Sequence, residues 1–148
     1  MSIKQTIHDA MKDAMRAKDK GRLGAIRLIQ AEFKRIEVDE RIEIDDTRAL
    51  AVLDKMVKQR RDSISQYESA DRQELADVEI AEISVIQDFL PAALSDEEIS
   101  TMVQAAIQQT GASSMADMGK VMAIIKPQIQ GRADAGAVSG LIKATLTS

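Results

Sequence analysis

Apolar side chains recur every three or four residues along most of this 148-residue chain, and that spacing predicts amphipathic helices. Only two prolines, Pro91 and Pro127, interrupt the pattern, and no β-branched run alternates strictly with polar residues. The hydrophobic fraction is 45%, and it is mainly aliphatic because the chain has two Phe, one Tyr and no Trp. The sequence therefore predicts an all-α protein with an aliphatic core.

Four helices are predicted before Pro91, which would end the fourth. We expect them to end near residues 18, 41, 69 and 90, with Ile80 among the inward-facing residues of the fourth. Short connections between amphipathic helices favour antiparallel neighbours around one core. Residues 1–93 are thus predicted to form an antiparallel four-helix subdomain.

A second, smaller domain is predicted over residues 95–148, with three helices. Ser95 followed by Glu98 predicts a capping box at its start. Gly111 predicts a left-handed residue that ends the first of these helices. The link between the two domains, residues 91–94, begins with proline and is otherwise apolar, so we expect little hinge motion there.

The segment from Gly111 to Gly136 is the most irregular part of the chain, since it holds four of the seven glycines. Ser114 with Asp117 predicts a helix start, and Pro127 predicts the end of that helix or a kink. Residues 127–130 are predicted as a separate helical turn. Irregular connections between helices are common positions for binding sites.

Gly131 predicts a further break, and Asp134 a cap for the last helix, whose inward face would include Leu141 and Thr145. Arg132 lies just before this helix start. Free backbone N–H groups and the helix dipole favour an anion there, and an arginine can bind phosphate through two hydrogen bonds. Asp134 works against an anion at the same place, so a solvated Arg132 is the alternative.

Composition limits the kinds of function. The net charge of −4 and pI of 5.1 argue against a general nucleic-acid binder but allow a local basic patch. The absence of cysteine excludes disulfides, thiolate catalysis and cysteine-based zinc sites. His8 has no neighbouring partner for a metal, and we expect neither metal nor cofactor.

The N-terminus does not resemble a signal peptide and no apolar run approaches about 20 residues, which predicts a cytoplasmic protein without membrane contact.

No catalytic residues are predicted. Gly119-Lys120 is followed by Val121 rather than Ser or Thr, so it does not match a phosphate-binding loop. Ser114 near Lys120 could suggest a Ser–Lys nucleophile pair, but helix capping explains the serine more simply.

Four cations recur every seven residues in the second predicted helix: Lys20, Arg27, Lys34 and Arg41. The third helix adds Lys58, Arg60 and Arg61. This stripe is either a solvated flank with helix ion pairs, such as Glu37 with Arg41, or a second nucleic-acid site centred on Arg27 and Lys34.

Three segments resemble one known family. GASSMADMGKVMAIIKPQIQGRAD is similar to the YqeY family, whose C-terminal part is related to the tail domain of the GatB component of the aspartyl-tRNA/glutamyl-tRNA amidotransferase. KQRRDSISQYESADRQELADVEIAEISVIQDFLP and LSDEEI resemble the central segment and the domain junction of the same family. Ala135-Gly136 departs from many relatives, which carry Gly earlier.

The resemblance implies a helical N-terminal domain, a tail domain and binding of tRNA or another structured RNA, with amidotransferase or translation-related proteins as further partners. We place the RNA contacts on Lys120, Lys126 and Arg132, with Arg27 and Lys34 as the competing site. Two alternatives remain open. One is a component with carbon–nitrogen ligase activity, with glutamine as amide donor, in tRNA transamidation. The other is a helical protein–protein adaptor that uses the aliphatic helix faces.

Overall fold

The computed structural model describes residues 2–147, and in that range it contains seven α-helices, one 3-10 turn and no strand. The prediction of an all-α protein is confirmed. The elements are α1 (Ile3–Arg16), α2 (Lys20–Glu40), α3 (Asp46–Ser69), α4 (Gln73–Gln87), α5 (Asp96–Thr110), the 3-10 turn (Met115–Asp117), α6 (Met118–Ile129) and α7 (Ala135–Thr147).

The chain divides into two compact units, which we call the N-terminal unit (Met1–Pro91) and the tail unit (Ala92–Ser148). In the N-terminal unit, α3 packs most extensively against α4, while α1 pairs with α2 and α2 also contacts α4. The core is aliphatic apart from Phe33. Its most deeply buried large side chains are Ile7, Ile26, Ile29, Leu53 and Ile86.

Short carboxylate and hydroxyl side chains begin the first three helices. The Asp19 carboxylate accepts from the Arg22 amide at 3.1 Å, and Asp45 accepts from the Arg48 amide at 2.8 Å. Each interaction satisfies an amide that has no partner inside the helix. Asp19, just after the predicted end of the first helix near residue 18, is therefore the N-cap of α2. The C-cap of α2 is Arg41, in the left-handed conformation with φ 55°.

Ion pairs and hydrogen bonds between helices tie the N-terminal unit together. The Glu37 carboxylate accepts from Lys4 Nζ at 2.7 Å and from the Ile44 amide at 3.0 Å. These contacts correct the predicted ion pair of Glu37 with Arg41. The half-buried Glu37 carboxylate accepts from both partners at once. Arg41 is the left-handed C-cap, so it no longer lies one regular helical turn after Glu37. Arg22 joins α2 to the residue after α4 through Asp88, at 2.6 Å.

Arg60 is the most enclosed cation among these cross-helix contacts, with 15% of its side chain exposed. It donates to the Met56 carbonyl and to Glu82, both at 3.3 Å. Its Nε is buried without a hydrogen bond, and a Glu79 carboxylate oxygen lies 3.9 Å away.

Glu79 explains one incorrect prediction in α4. Ile80, expected to face inward, is 46% exposed, because the inward positions of this helix follow Ala76, Glu79, Ile83 and Ile86. The pairing with Arg60 lets Glu79 take the place between the apolar residues. The helix itself ends at Gln87, before the predicted residue 90, because i to i−3 hydrogen bonds tighten residues 88–90.

The tail unit has its own apolar core, formed mainly by Val103, Val121, Ile125, Val138 and Ile142. The predicted capping box at Ser95 and Glu98 is confirmed, with both hydrogen bonds present. On α7 two predicted inward residues are wrong, since Leu141 is 38% exposed and Thr145 is exposed. The short helix buries only the stripe containing Val138 and Ile142, and both residues lie beside it.

Candidate nucleic-acid interface

The candidate site begins where α5 ends. Gly111 adopts the left-handed conformation predicted for it, with φ 66° and ψ 24°. The following Ala112 amide donates to the Ile107 carbonyl at 3.1 Å, which satisfies a carbonyl left free at the helix end. The chain therefore turns sharply into the connection before α6.

The start of α6 differs from the prediction. The Ser114 side chain makes no capping hydrogen bond, and a 3-10 turn precedes the α-helix. Instead, the Asp117 carboxylate reaches back and accepts from the Ser113 amide at 3.1 Å. This hydrogen bond lowers the pKa of Asp117, and the nearby charge of Lys120 lowers it further against the opposing effect of desolvation.

Pro127 does not end α6, and residues 127–130 are not a separate turn, because the helix continues to Ile129. The predictions of a helix end at Pro127 and of a separate turn were wrong for the same reason, and a kink at Pro127 stays a prediction. Proline removes one helical hydrogen bond, but Pro127 lies on the exposed side, where water can replace that donor. Ile125 and Ile129 are buried, and their packing holds the last turn of the helix in place.

The outward half of α6 carries Lys120 and Lys126, both exposed. Ala123 lies between them in the sequence and Gly119 directly precedes Lys120; both are exposed, and neither was among the predicted site residues. A six-residue separation corresponds to a rise of about 9 Å along a helix. Lys120 Nζ lies 3.8 Å from the Asp117 carboxylate, yet 71% of the Lys120 side chain is exposed. The ammonium group therefore remains accessible to a ligand.

Arg132 lies in the connection between α6 and α7 and not on α6 itself. Its Nε donates to the Ala92 carbonyl at 3.2 Å, and its own carbonyl accepts from the Leu94 amide at 2.9 Å. Arg132 thus fastens the first residues of the tail unit to the connection between α6 and α7. No local sequence pattern could reveal this contact, because 40 residues separate the two partners.

The start of α7 is already occupied by its own cap. The Asp134 carboxylate accepts from the amides of Gly136 and Ala137, as predicted. The Arg132 amide donates to the Ile129 carbonyl at 2.8 Å. The charge of Arg132 also contributes to the lowered pKa of Glu98, after the larger effect of hydrogen bonds from Ser95. A phosphate contact by Arg132 stays a prediction.

The competing residues, Arg27 and Lys34, are exposed on α2 in the N-terminal unit. Neither makes an ion pair within residues 2–147. Lys34 acts on Glu37 through its charge, as a minor cause of the lowered pKa of that carboxyl group. Whether these two cations or those of α6 contact RNA stays a prediction.

Metal-binding clusters and membrane-spanning helices are the remaining features that could indicate a function. Among the described residues, no group of three or more His, Cys, Asp or Glu side chains could hold a metal ion. The side chain of His8 is exposed. No helix within residues 2–147 has the length and apolar character needed to cross a bilayer.

Comparison with known proteins gives a consistent set of matches. The family model described as "Yqey-like protein" matches residues 4–146. "Altered inheritance of mitochondria protein 41, mitochondrial" of Pyrenophora tritici-repentis is 31% identical over 122 residues, covering 78% of this chain and 67% of the relative. The proteins of the same name in Vanderwaltozyma polyspora and Kluyveromyces lactis are 37% and 32% identical over 98 residues, covering 64% of this chain and 52% and 53% of those relatives. The chain thus spans about half to two thirds of the length of these proteins. Their names place them in mitochondria, and a cytoplasmic location for this chain stays a prediction.

Proposed function

The chain belongs to the YqeY family, and we propose that it is a non-catalytic protein that binds tRNA or another structured RNA through the outward half of α6. The observation that carries this proposal is the pair of exposed lysines, Lys120 and Lys126, with the exposed small residues Gly119 and Ala123 next to them in α6. Lysine ammonium groups bind backbone phosphates as point charges. The resemblance to a tRNA-holding tail domain supplies the class of ligand.

The exposed small residues Gly119 and Ala123, next to the lysines in α6, support a close approach of RNA. A Cβ atom built at Gly119 would meet nothing within 4 Å, so the surface there is open. Long side chains between two cations would keep a phosphate backbone at a distance. Gly119 and Ala123 therefore leave room for the sugar–phosphate chain to lie along the helix.

The aromatic residues argue for recognition of phosphates and shape rather than of stacked bases. Phe33 is 2% exposed, and Phe89 is half-buried with the Arg22 guanidinium 5.8 Å from its ring centre. Tyr67 is also half-buried. Proteins that read single-stranded RNA usually stack bases on exposed aromatic rings, and the described residues offer no exposed Phe, Tyr or Trp ring.

The test is tRNA binding measured by fluorescence anisotropy over a range of salt concentrations. We compare the wild type with Lys120→Ala and Lys126→Ala, singly and together. Each lost phosphate contact should reduce the slope of log K against log salt by about one unit. The matched control is Lys143→Ala, which removes an exposed lysine from α7 in the same unit and should leave the slope unchanged.

Two further variants decide between positions. Replacing Arg27 and Lys34 together by alanine tests the competing site on α2. Arg132→Ala removes both a cation and the hydrogen bond to Ala92, so circular dichroism must first show that the variant is folded. If the α2 double variant loses binding while the α6 double variant binds like wild type, the placement on α6 is wrong. A wild type that binds no tRNA at low salt would refute the proposal itself.

An accessory role in tRNA-dependent amidation would extend this proposal. This accessory role and the carbon–nitrogen ligase alternative are separable by adding the protein to a glutamine-dependent transamidation assay. We expect the purified chain alone to form no amide on charged tRNA. Amide formation by the chain alone would instead establish the carbon–nitrogen ligase alternative.

A further inference from the structure

The exposed face of α2 carries a regular seven-residue repeat. The four cations at positions 20, 27, 34 and 41 are each exposed. Four residues after each of the first three come Gly24, Ala31 and Val38, also exposed. From Lys20 to Val38 the spacing on this face therefore alternates between four and three residues along the helix, and Arg41 follows as the left-handed C-cap of α2. We call these seven residues the α2 seam: Lys20, Gly24, Arg27, Ala31, Lys34, Val38 and Arg41.

The α2 seam lies opposite the side of α2 that forms the core. Ala25, Ile26, Ile29, Phe33 and Ile36 are buried, so α2 needs no second apolar face for its own folding. Apolar surface is nevertheless exposed along the seam and beside it. Val38 is 61% exposed, Leu28 47% and Ile42 41%, three of the eight large apolar side chains that stand out as exposed among the described residues.

The cations of the α2 seam differ from the other cations nearby. Arg22, Arg35 and Arg48 all form ion pairs with carboxylates, at 2.6 Å for Arg22 and Arg35. None of the four seam cations forms an ion pair within the described part of the chain. The protein has a net charge of −4, so the four unpaired cations of the α2 seam form a local positive patch beside exposed apolar side chains.

We propose that the α2 seam docks an acidic amphipathic α-helix of a partner protein. A 4–3 spacing lets a second helix lie along the first with the shallow crossing angle of a coiled coil. Gly24 and Ala31 allow close approach, since a Cβ built at Gly24 would meet nothing within 4 Å. Carboxylates repeated every seven residues on the partner would then face the cations in turn.

Other occupants fit these features less well. RNA would use the cations, but phosphates gain nothing from the exposed side chains of Leu28, Val38 and Ile42. A second copy of this chain would need a free acidic helix face. Exposed acids of α4, and Asp88 just after it, already accept hydrogen bonds within their own chain. The donors are Gln73 to Asp77, Arg72 to Glu74 and Arg22 to Asp88. This inference stands independently of RNA binding by the tail unit.

The probe for the test is a designed helix of about four heptads, with Leu and Ala at the 4–3 positions and Glu every seven residues beside them. Binding to the full chain is followed by fluorescence anisotropy. Replacing Arg27 and Lys34 together by alanine should weaken binding about tenfold, since each exposed charge pair contributes modestly. The matched control replaces Lys12 of α1 and Lys55 of α3, two exposed lysines outside the stripe, by alanine and should have no effect.

Ala31→Arg separates packing from simple charge attraction. The substitution adds a fifth cation but places a long side chain on the ridge where the partner helix would lie. We expect Ala31→Arg to lower the affinity for the acidic helix by at least about tenfold without lowering the affinity for tRNA. An isomeric peptide with its Glu residues out of register should bind at least about tenfold more weakly than the designed one.

Four results would overturn the inference. Equal binding of the isomeric peptide, or stronger peptide binding by Ala31→Arg, would show that the α2 seam attracts any polyanion. Failure of the designed helix to bind at all would show that the seam is not a helix-docking surface. A wild-type dimer in sedimentation velocity that Ala31→Arg converts to monomer would identify a second copy as the occupant.

Discussion

The two units are held together in different ways. In the N-terminal unit, ion pairs join residues distant in sequence, such as Lys4 with Glu37, Arg22 with Asp88 and Arg60 with Glu82. In the tail unit, side-chain hydrogen bonds within residues 92–147 connect positions no more than four apart, except that from Arg132 to Ala92. The tail unit therefore depends on its apolar core and its helix caps.

This difference teaches where cations remain for ligands. In the N-terminal unit many cations are used to fasten helices, so the unpaired column on α2 stands out. In the tail unit Lys126 has no ion pair among the described residues, and that of Lys120 is long, at 3.8 Å. The unit that needs few cations for its own structure is thus able to offer them to a ligand, which agrees with the proposed RNA interface.

The largest effect should come from a cavity in the tail core. Ile125→Ala removes a side chain that is completely buried, and we expect it to lower the free energy of unfolding by about 2–5 kcal/mol. Because the tail unit has few long-range polar contacts to compensate, its helices should unfold together. Urea denaturation followed by circular dichroism measures the loss. Lys143→Ala should stay within about 0.5 kcal/mol of wild type, and a loss of that small size for Ile125→Ala would contradict the core assignment.

Removing the most enclosed cation tests the other half of the comparison. Arg60→Met should lower the free energy of unfolding by about 1–3 kcal/mol, because it leaves the half-buried carboxylates of Glu79 and Glu82 without their cation. Adding Glu82→Gln to Arg60→Met should restore part of the loss. If Arg60→Met were as stable as wild type, cross-helix ion pairs would not be what fastens α3 to α4.

A pair of glycine substitutions compares a cap in the tail unit with an exposed helix position in the N-terminal unit. Gly111→Ala should destabilise by about 1–2 kcal/mol, because its φ of 66° is unfavourable for residues with a Cβ. Gly24→Ala should stabilise by about 0.5–1 kcal/mol, since it lies within α2 and a Cβ there meets nothing within 4 Å. Thermal unfolding measures both, and equal signs would contradict the assigned backbone conformations.

The smallest effect should be a pH dependence at Glu37. Hydrogen bonds from Lys4 and the Ile44 amide lower the pKa of this carboxyl group in the folded protein. Its stabilising contribution is therefore present above the unfolded pKa of about 4.3 and is lost as pH falls through the lower, folded value. Glu37→Gln should thus flatten the decline of stability below about pH 4.3. Glu43→Gln, at an exposed position, serves as the control and should leave the decline nearly unchanged.

Local features of the fold could be predicted from the sequence, because short-range interactions determine them. The capping box at Ser95, the left-handed Gly111 and the cap at Asp134 all involve residues at most four apart. The incorrect predictions depend on tertiary packing. Buried neighbours hold α6 together through Pro127, and Arg60 draws Glu79 inward in place of Ile80.

The candidate site shows the same limit. Lys120 and Lys126 are exposed cations, as helical spacing on α6 would suggest. The contact from Arg132 to Ala92 could not be anticipated, because it joins a turn to a segment 40 residues earlier. The repeat on α2 was visible in the sequence as four cations. Its importance depends on the exposure of Gly24, Ala31 and Val38, which only the three-dimensional structure provides.

Pro127 has a consequence for hydration and for the order of the unfolded chain. Pro127 has no backbone N–H, so the Ala123 carbonyl loses its usual helical donor. This carbonyl lies on the exposed side of α6, where a water molecule is its natural partner. The proline ring also restricts the backbone of Lys126, the residue before it, even when the protein is unfolded. Because that restriction favours extended backbone while Lys126 lies within α6, the packing of Ile125 and Ile129 must hold its helical conformation. The exposed side of α6 thus combines a carbonyl open to water with a cation whose main chain depends on the tail core.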